Sequence, residues 1–381
     1  MYNRVLGNEL LRLSDQWSVI SVTGPRQSGK TTLCRMTFPN YHYVNLEDDA
    51  VRTLVQHNVK AFLLKYPNGL ILDEAQYLPE LFSYVQVVVD ENPKLRYILS
   101  GSSDFLLMQN ITQSLAGRVA ILRLLPLSIE ELGQDADMKT DRLMLRGFYP
   151  AIWGAGKHPK DVYDSYLNTY IQRDVRQLIN IKDLSLFRRF LTLMAARVGN
   201  EFNATHLSNE LGISHVTIKQ WLSVLEASYT AFTLPPYYRN VGKRLVKTPK
   251  MYFYDTGLVC YLLGIQTEEQ LESHPLRGAI FENMVVADMI KDRFNRAEMS
   301  NLYYYRDQSQ HEVDVVQEFA GRIRAYEIKS SERFLPDYYK NLNVFRKLYS
   351  DTVDDTIVIY SGQEELPGSD NGLINFRHIP K

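Results

Sequence analysis

The chain has 381 residues, 45% hydrophobic and 23% charged, which fits an ordinary globular protein of two or three domains and excludes disordered, collagen-like and coiled-coil classes. Lys+Arg 43 against Asp+Glu 44 leaves a net charge of -1, so any affinity for nucleic acid or an anionic membrane must come from a local patch. Cys34 and Cys260 stand far apart, which excludes a disulfide scaffold and a cysteine-rich zinc module and points to a reducing compartment, the cytoplasm. No apolar run approaches the ~20 residues that a bilayer span needs, and Met1 to Glu9 lacks a secretory apolar core, so no membrane partner is expected.

Trp17 to Val22, Tyr41 to Leu46, Leu70 to Leu72, Leu95 to Leu99 and Val119 to Leu124 are short apolar runs separated by helix-like stretches. That alternation predicts a parallel sheet covered by helices on both faces. Directly after the first run stands Gly24-Pro25-Arg26-Gln27-Ser28-Gly29-Lys30-Thr31, followed by Thr32, which fills every fixed position of a G-x-x-x-x-G-K-[ST] loop. Its glycines let backbone N–H groups and a helix N-terminus face the phosphates of ATP, with Lys30 on the β and γ oxygens and Thr31 on magnesium. The third run ends in Asp73-Glu74. Asp73 is placed to support Mg2+ and Glu74 to orient or deprotonate the attacking water. At the end of the next run, Ser100 or Ser102 occupies the place where related ATPases sense the γ-phosphate. Arg118 either completes a neighbouring subunit's site as an arginine finger, which would require a homo-oligomer, or is a solvated surface residue.

From Ser128-Ile129-Glu130-Glu131-Leu132 onward the pattern is mainly helical as far as Val198, a lid or connector. Asn203 to Gly212 and His215 to Glu226 then read as a helix-turn-helix, and the runs Tyr229 to Tyr238 and Lys250 to Tyr254 as the two strands of a wing. The second helix would offer His215, Thr217, Lys219 and Gln220 to a major groove, and Arg239, Lys243, Arg244, Lys247 and Lys250 would contact phosphates. A protein-binding role for the same unit stays open. A last unit starts at Gly278 with a helix from Ala279 to Phe294 and strands at Leu302 to Tyr305, Glu312 to Phe319, Ile323 to Ser330 and Thr356 to Tyr360. The expected domains are therefore 1–134, 135–200, 201–270 and 271–381.

Asp314 and Glu327-Ile328-Lys329 follow a D-(x)n-E-x-K pattern, with Glu282 on the preceding helix. If the strands turn at Ala320-Gly321 as a two-residue hairpin, Asp314 falls across from Glu327, and Lys329 shares the face of Glu327. Facing carboxylates favour a cation between them, so Mg2+ held by Asp314, Glu327 and Glu282 is expected, with Lys329 stabilising the attacking hydroxide or developing phosphate charge. A surface strand pair with a Lys–Glu salt bridge is the alternative. Tyr303 to Tyr305 and Tyr237-Tyr238 could stack bases or pack in strands, and no role is assigned to them.

Gly24 to Thr31, Leu70 to Glu74, Ser100 to Ser103, Ser114 to Arg118, Gly147-Phe148-Tyr149-Pro150, Tyr170 to Asp174, Lys247 to Leu258 and Ala279 to Asn283 together resemble the prokaryotic AAA-type ATPases that carry an uncharacterised C-terminal domain. The C-terminal pattern resembles the PD-(D/E)XK nucleases, with Val313 in place of the proline. These resemblances imply an α/β fold made of an AAA-like P-loop core, a helical connector, a winged helix and a restriction-endonuclease-like domain. The expected function is an ATPase whose nucleotide state repositions the C-terminal modules on DNA. The alternative is a nucleotide-gated DNA- or protein-binding regulator whose nuclease-like domain cuts nothing.

Overall fold

A computed structural model describes residues 2–101, 111, 113–170, 183–238, 248–366, 368 and 371–380. Strands β1 (Val19–Thr23), β2 (His42–Asn45), β3 (Leu70–Asp73), β4 (Tyr97–Ser100) and β5 (Val119–Arg123) form one parallel sheet in the order β2-β3-β4-β1-β5. Side chains alternate across it. Val19, Leu70, Leu72 and Leu99 pack with Val55, Leu63, Phe82 and Val85 on one face, while Ile20, Val22, Ile71 and Ile98 pack with Leu6, Leu10, Leu33 and Cys34 on the other. Burial of both faces is why these strands read as apolar runs rather than as alternating patterns. Because the strands are parallel, β1, β3 and β4 all deliver their C-terminal residues to the same sheet edge, the usual place for a ligand in such folds.

After β5 the chain turns helical. Ser128 caps helix Ile129–Leu132 through a capping box with Glu131, and helices Thr140–Arg146, Pro150–Gly154, Pro159–Thr169 and Leu184–Ala195 follow. Helices Ala204–Leu211 and His215–Ala227 are joined through Gly212, whose φ of 67° closes the first helix, and Ser214, which caps the second. Strands β6 (Ala231–Leu234) and β7 (Lys250–Phe253) then pair antiparallel.

The C-terminal unit is a mixed five-stranded sheet in the order β12-β11-β10-β9-β8, made of β8 (Leu302–Arg306), β9 (Glu312–Phe319), β10 (Arg322–Lys329), β11 (Val353–Tyr360) and β12 (Gly372–Asn375). Helix Arg277–Asn295 precedes it and helix Lys340–Leu348 lies between β10 and β11. The hairpin at Ala320-Gly321 is a two-residue turn with positive φ at both positions, 46° and 86°, and the pairing Arg322↔Phe319 continues to Tyr326↔Val315. One apolar core runs from Leu125 through Phe148, Tyr163, Phe190, Trp221 and Tyr252 to Ile280 and Phe376. The connector, the helix pair and the helix Arg277–Asn295 thus share a single interior rather than three. No described helix is long and apolar enough to cross a membrane.

Candidate functional site

The phosphate-type loop connects β1 to helix Lys30–Thr37, and its backbone curls through positive φ at Gly24 (145°), Gln27 (62°) and Gly29 (94°). A Cβ at Gly24 would lie 2.1 Å from the Leu124 carbonyl oxygen, so only glycine fits where the loop leaves the sheet. Lys30 is buried, and its ammonium donates to the carbonyls of Gly24 (2.9 Å) and Pro25 (2.7 Å). Ser28 Oγ is buried in the loop without a hydrogen-bond partner among the described residues. A helix N-terminus, a lysine folded back on the loop and an orphan hydroxyl suit a polyphosphate, whose oxygens would supply the acceptors.

Asp73, at the end of β3, is the hub of the site. Its Oδ2 accepts from Thr31 Oγ1 (2.7 Å) and Tyr43 Oη (2.8 Å), and its Oδ1 accepts from Ser100 Oγ (2.5 Å) and the Glu74 N–H (3.1 Å). Three elements far apart in sequence therefore converge on one buried carboxylate. Burial and the adjacent Asp73 raise the Tyr43 pKa, so the phenol stays a donor. Glu74 has a left-handed backbone (φ 53°, ψ 43°), and its Oε2 accepts from Gln76 Nε2. A non-glycine residue held there is strained, a feature that clusters at functional sites.

Beside the loop opens a cavity of about 1260 Å³. Arg26, Gln27, Ser28, Gly29, Lys30, Thr31 and Thr32 form its floor, Glu74 one side, Gly7 and Leu11 of the first helix another, and Pro150 and Asp161 of the connector its roof. Arg4 fastens two of these walls. Its Nη1 donates to the Ser28 carbonyl (2.7 Å), its Nη2 to the Leu125 carbonyl (2.6 Å) and its Nε to the buried Glu131 (3.0 Å). Nothing in the sequence marks Arg4 or Tyr43, whereas Ser128-x-x-Glu131 is a visible capping box. Ser102 lies outside the described residues, as do residues 171–174.

Arg118 is not brought to this edge. It precedes β5 at the opposite end of the sheet, about five strand residues or roughly 16 Å from the loop. There it makes a two-pronged ion pair with Asp90, Nε–Oδ1 2.6 Å and Nη2–Oδ2 2.9 Å.

Within the C-terminal sheet the expected facing of Asp314 and Glu327 falls one step beyond the last recorded backbone pair, Tyr326↔Val315. Both side chains are buried, and Asp314 Oδ2 accepts from the Ile328 N–H at 2.7 Å. Lys329 Nζ donates to Glu327 Oε1 at 2.6 Å, and Glu327 Oε2 is buried without a hydrogen-bond partner among the described residues. Glu282 joins the cluster from helix Arg277–Asn295, accepting from Tyr252 Oη (2.6 Å) and Lys250 Nζ (3.3 Å). Burial, reinforced by Asp314, pushes the Glu327 carboxyl up to about 8, and burial pushes Glu282 up to about 7 against the pull of Lys250. Among the described residues, no group of three His, Cys, Asp or Glu side chains is placed to hold a metal ion.

Lys250 corrects the sequence reading. Expected in solvent beside the basic wing, it is 3% exposed and donates to Glu312 at 2.5 Å as well as to Glu282. Of the remaining wing residues, Arg239, Lys243, Arg244 and Lys247 lie outside the described residues. On the second helix of the pair, His215, Lys219 and Gln220 are exposed and Thr217 half-buried. Tyr237 packs edge-on against Tyr303, Phe345 and Tyr349, and Tyr304 and Tyr305 are buried, so these tyrosines are core residues rather than stacking platforms. The segments around Gly147 and Asp255 also resolve into packing. Asp255 accepts from the Phe148 N–H and caps helix Thr256–Leu262, while a Cβ at Gly147 or Gly257 would strike Tyr163 Oη at 1.9 or 2.3 Å.

Residues 16–133 match the model of an AAA domain, and residues 137–269 and 277–379 match two domains of unknown function, DUF8612 and DUF4143. The uncharacterized protein Rv2008c of Mycobacterium tuberculosis is 31% identical over 361 residues, spanning 92% of this chain and 78% of that protein. The chain belongs to a family of AAA-domain P-loop ATPases. A more distant member, the uncharacterized protein MJ1544 of Methanocaldococcus jannaschii, is 24% identical over 394 residues, spanning 88% of this chain and 84% of its own. Among solved structures, a Walker-type ATPase of Pyrococcus abyssi aligns with 68% of this chain and 94% of its own at 15% identity and a TM-score of 0.46.

Proposed function

We propose that the protein binds and hydrolyses ATP at the loop between β1 and helix Lys30–Thr37. The observation that carries this is the convergence of Thr31, Asp73 and Ser100 beside the helix N-terminus. Gly24 to Thr32 would wrap the phosphates with backbone N–H groups, and Lys30 would exchange its two carbonyl acceptors for phosphate oxygens. Thr31 and Asp73 would hold Mg2+, which supplies charge neutralisation on the phosphates when bound. Glu74 would position water and take its proton, with Gln76 fixing its carboxylate. Ser100, bonded to Asp73, would report the occupancy of the γ position.

Two contacts support coupling to the C-terminal half. Thr23 Oγ1, the last residue before the loop, lies 2.9 Å from Tyr229 Oη just beyond the helix pair, and the Ile129 N–H donates to Asp288 of helix Arg277–Asn295 at 2.7 Å. The helix pair with its two strands suits a winged helix that places His215, Lys219 and Gln220 on DNA, and the mixed sheet bearing Asp314, Glu327 and Lys329 suits a nuclease-like domain in which Asp314, Glu327 and Glu282 would hold Mg2+ only after rearrangement, since among the described residues no three acids are placed for a metal. A second reading, a nucleotide-gated DNA- or protein-binding regulator that cuts nothing, draws on the lysine buried among those carboxylates. Supercoiled and linear DNA incubated with Mg2+ or Mn2+, with and without ATP, separates them. Cutting that disappears in Asp314→Ala and Lys329→Ala supports the nuclease; DNA bound but never nicked supports the regulator.

A further inference from the structure

The cavity over the loop extends past the place where phosphates would bind. Besides the loop it is lined by Met36, which lies roughly 9 Å beyond Lys30 along helix Lys30–Thr37, and by Leu11 of the first helix. Both are left uncovered, 53% and 48% exposed. Phosphates held at the helix N-terminus do not need apolar walls, whereas the flat face of a nucleobase does.

The roof has the opposite character. Helix Pro159–Thr169 buries Val162, Tyr163, Tyr166 and Leu167 in the shared core and lines the cavity with Asp161, Ser165 and Thr169, each four residues from the next and so on one face. Tyr163 Oη donates to the Arg146 carbonyl (3.1 Å) and Tyr261 Oη donates to Asp164 (2.8 Å), which fixes the helix and the stripe it presents. Asp161 is exposed, and its carboxylate has no hydrogen-bond or ion-pair partner among the described residues. A carboxylate repels phosphate. Its place in this wall is accounted for by a part of the ligand that offers donors and carries no charge, and in a nucleotide that part is the ribose. Acidic residues accept from ribose hydroxyls in dinucleotide-binding folds for the same reason.

We propose that the connector supplies the sugar subsite of the nucleotide: Asp161 accepts hydrogen bonds from the ribose hydroxyls, while Leu11 and Met36 cover the base. This rests on reading the loop as an ATP site and adds a second domain to that site. The stretch that matches the AAA domain ends at residue 133, whereas Asp161 lies in the next matched stretch, 137–269. Bound nucleotide would thus join the N-terminal sheet to a helix whose other face packs in the same core as the helix pair.

Calorimetric titration of the full chain with three ligands in Mg2+ tests this: ATP, ATP lacking both ribose hydroxyls, and inorganic tripolyphosphate. Wild type is expected to bind ATP about tenfold more tightly than dideoxy-ATP, and tripolyphosphate more weakly than either. Asp161→Ala is expected to abolish the preference for ATP over dideoxy-ATP by weakening ATP alone. Asp161→Asn, which keeps one acceptor, is expected to recover part of it. Because Asp161 is exposed, both variants are expected to melt with wild type. Met36→Ala is expected to weaken ATP and dideoxy-ATP alike, several-fold, and to spare tripolyphosphate. Equal binding of ATP and dideoxy-ATP by wild type, or an Asp161→Ala loss shared by all three ligands, would overturn the sugar subsite and leave the phosphate site standing. Wild type that binds none of the three would overturn the ATP reading itself, and this inference with it.

Discussion

Replacing Arg4 with Met tests whether the floor and wall of the cavity are fastened as one unit. Methionine keeps much of the apolar stem and removes the guanidinium, so three contacts disappear together: Glu131 at 3.0 Å and the Ser28 and Leu125 carbonyls at 2.7 and 2.6 Å. Glu131 would remain buried with the Val5 and Ser128 N–H groups as its donors and without its cation. Breaking a buried ion pair by removing one partner costs about 3–5 kcal/mol, a large share of the ~5–15 kcal/mol that holds a protein folded. Urea unfolding of the N-terminal part, followed through Trp17 beside β1, is expected to show a loss of that size. The freed Ser28 carbonyl is also expected to speed hydrogen exchange at the loop amides and to weaken ATP binding. Arg4→Lys is expected to recover only part of the loss, because one ammonium cannot serve three separated acceptors. Unfolding of Arg4→Met within about 0.5 kcal/mol of wild type, with unchanged loop exchange, would refute the reasoning.

Glu327→Gln is expected to change the pH dependence of stability. Its folded pKa is raised from 4.5 to about 8, so the folded state holds a proton that the unfolded state releases, and stability falls as pH climbs between those values. The variant is expected to match wild type near pH 4.5 and to exceed it by a few kcal/mol, at about 1.4 per unit, near pH 8.5; parallel curves would contradict this. Arg118→Ala is expected to leave turnover per chain within about threefold of wild type at every protein concentration, since its guanidinium is committed to Asp90. A loss of about a thousandfold would identify a finger acting on a neighbouring subunit instead. Glu74→Gln is expected to keep ATP affinity and lose about a hundredfold or more in phosphate release.

The N-terminal sheet was legible because both of its faces are buried, which writes each strand as an apolar run, and because the loop glycines are required by backbone geometry. Asp73 and Glu74 stand out at the end of the strand that carries them, whereas the sequence leaves Ser100 and Ser102 as equal candidates after β4, and only Ser100 lies among the described residues. Arg4 and Tyr43 could not. Their partners lie 127 and 30 residues away, and no local pattern announces a lone arginine beneath a loop. The hairpin at Ala320-Gly321 was predictable from its turn and fixed the register as far as Tyr326. Lys250 was misread for a physical reason: its neighbours in sequence are basic, and the acids that bury it come from 32 and 62 residues further on. Charge patterns along a chain describe solvated faces well and buried counter-ions poorly.

The most direct measurement is a calorimetric titration of the full chain with ATP and Mg2+, run beside a phosphate-release assay on wild type and Lys30→Ala. Saturable binding and steady release by wild type, both lost in Lys30→Ala, are the predicted results. Wild type that takes up no purine triphosphate, or Lys30→Ala that binds and turns it over equally well, would contradict the assignment of the loop.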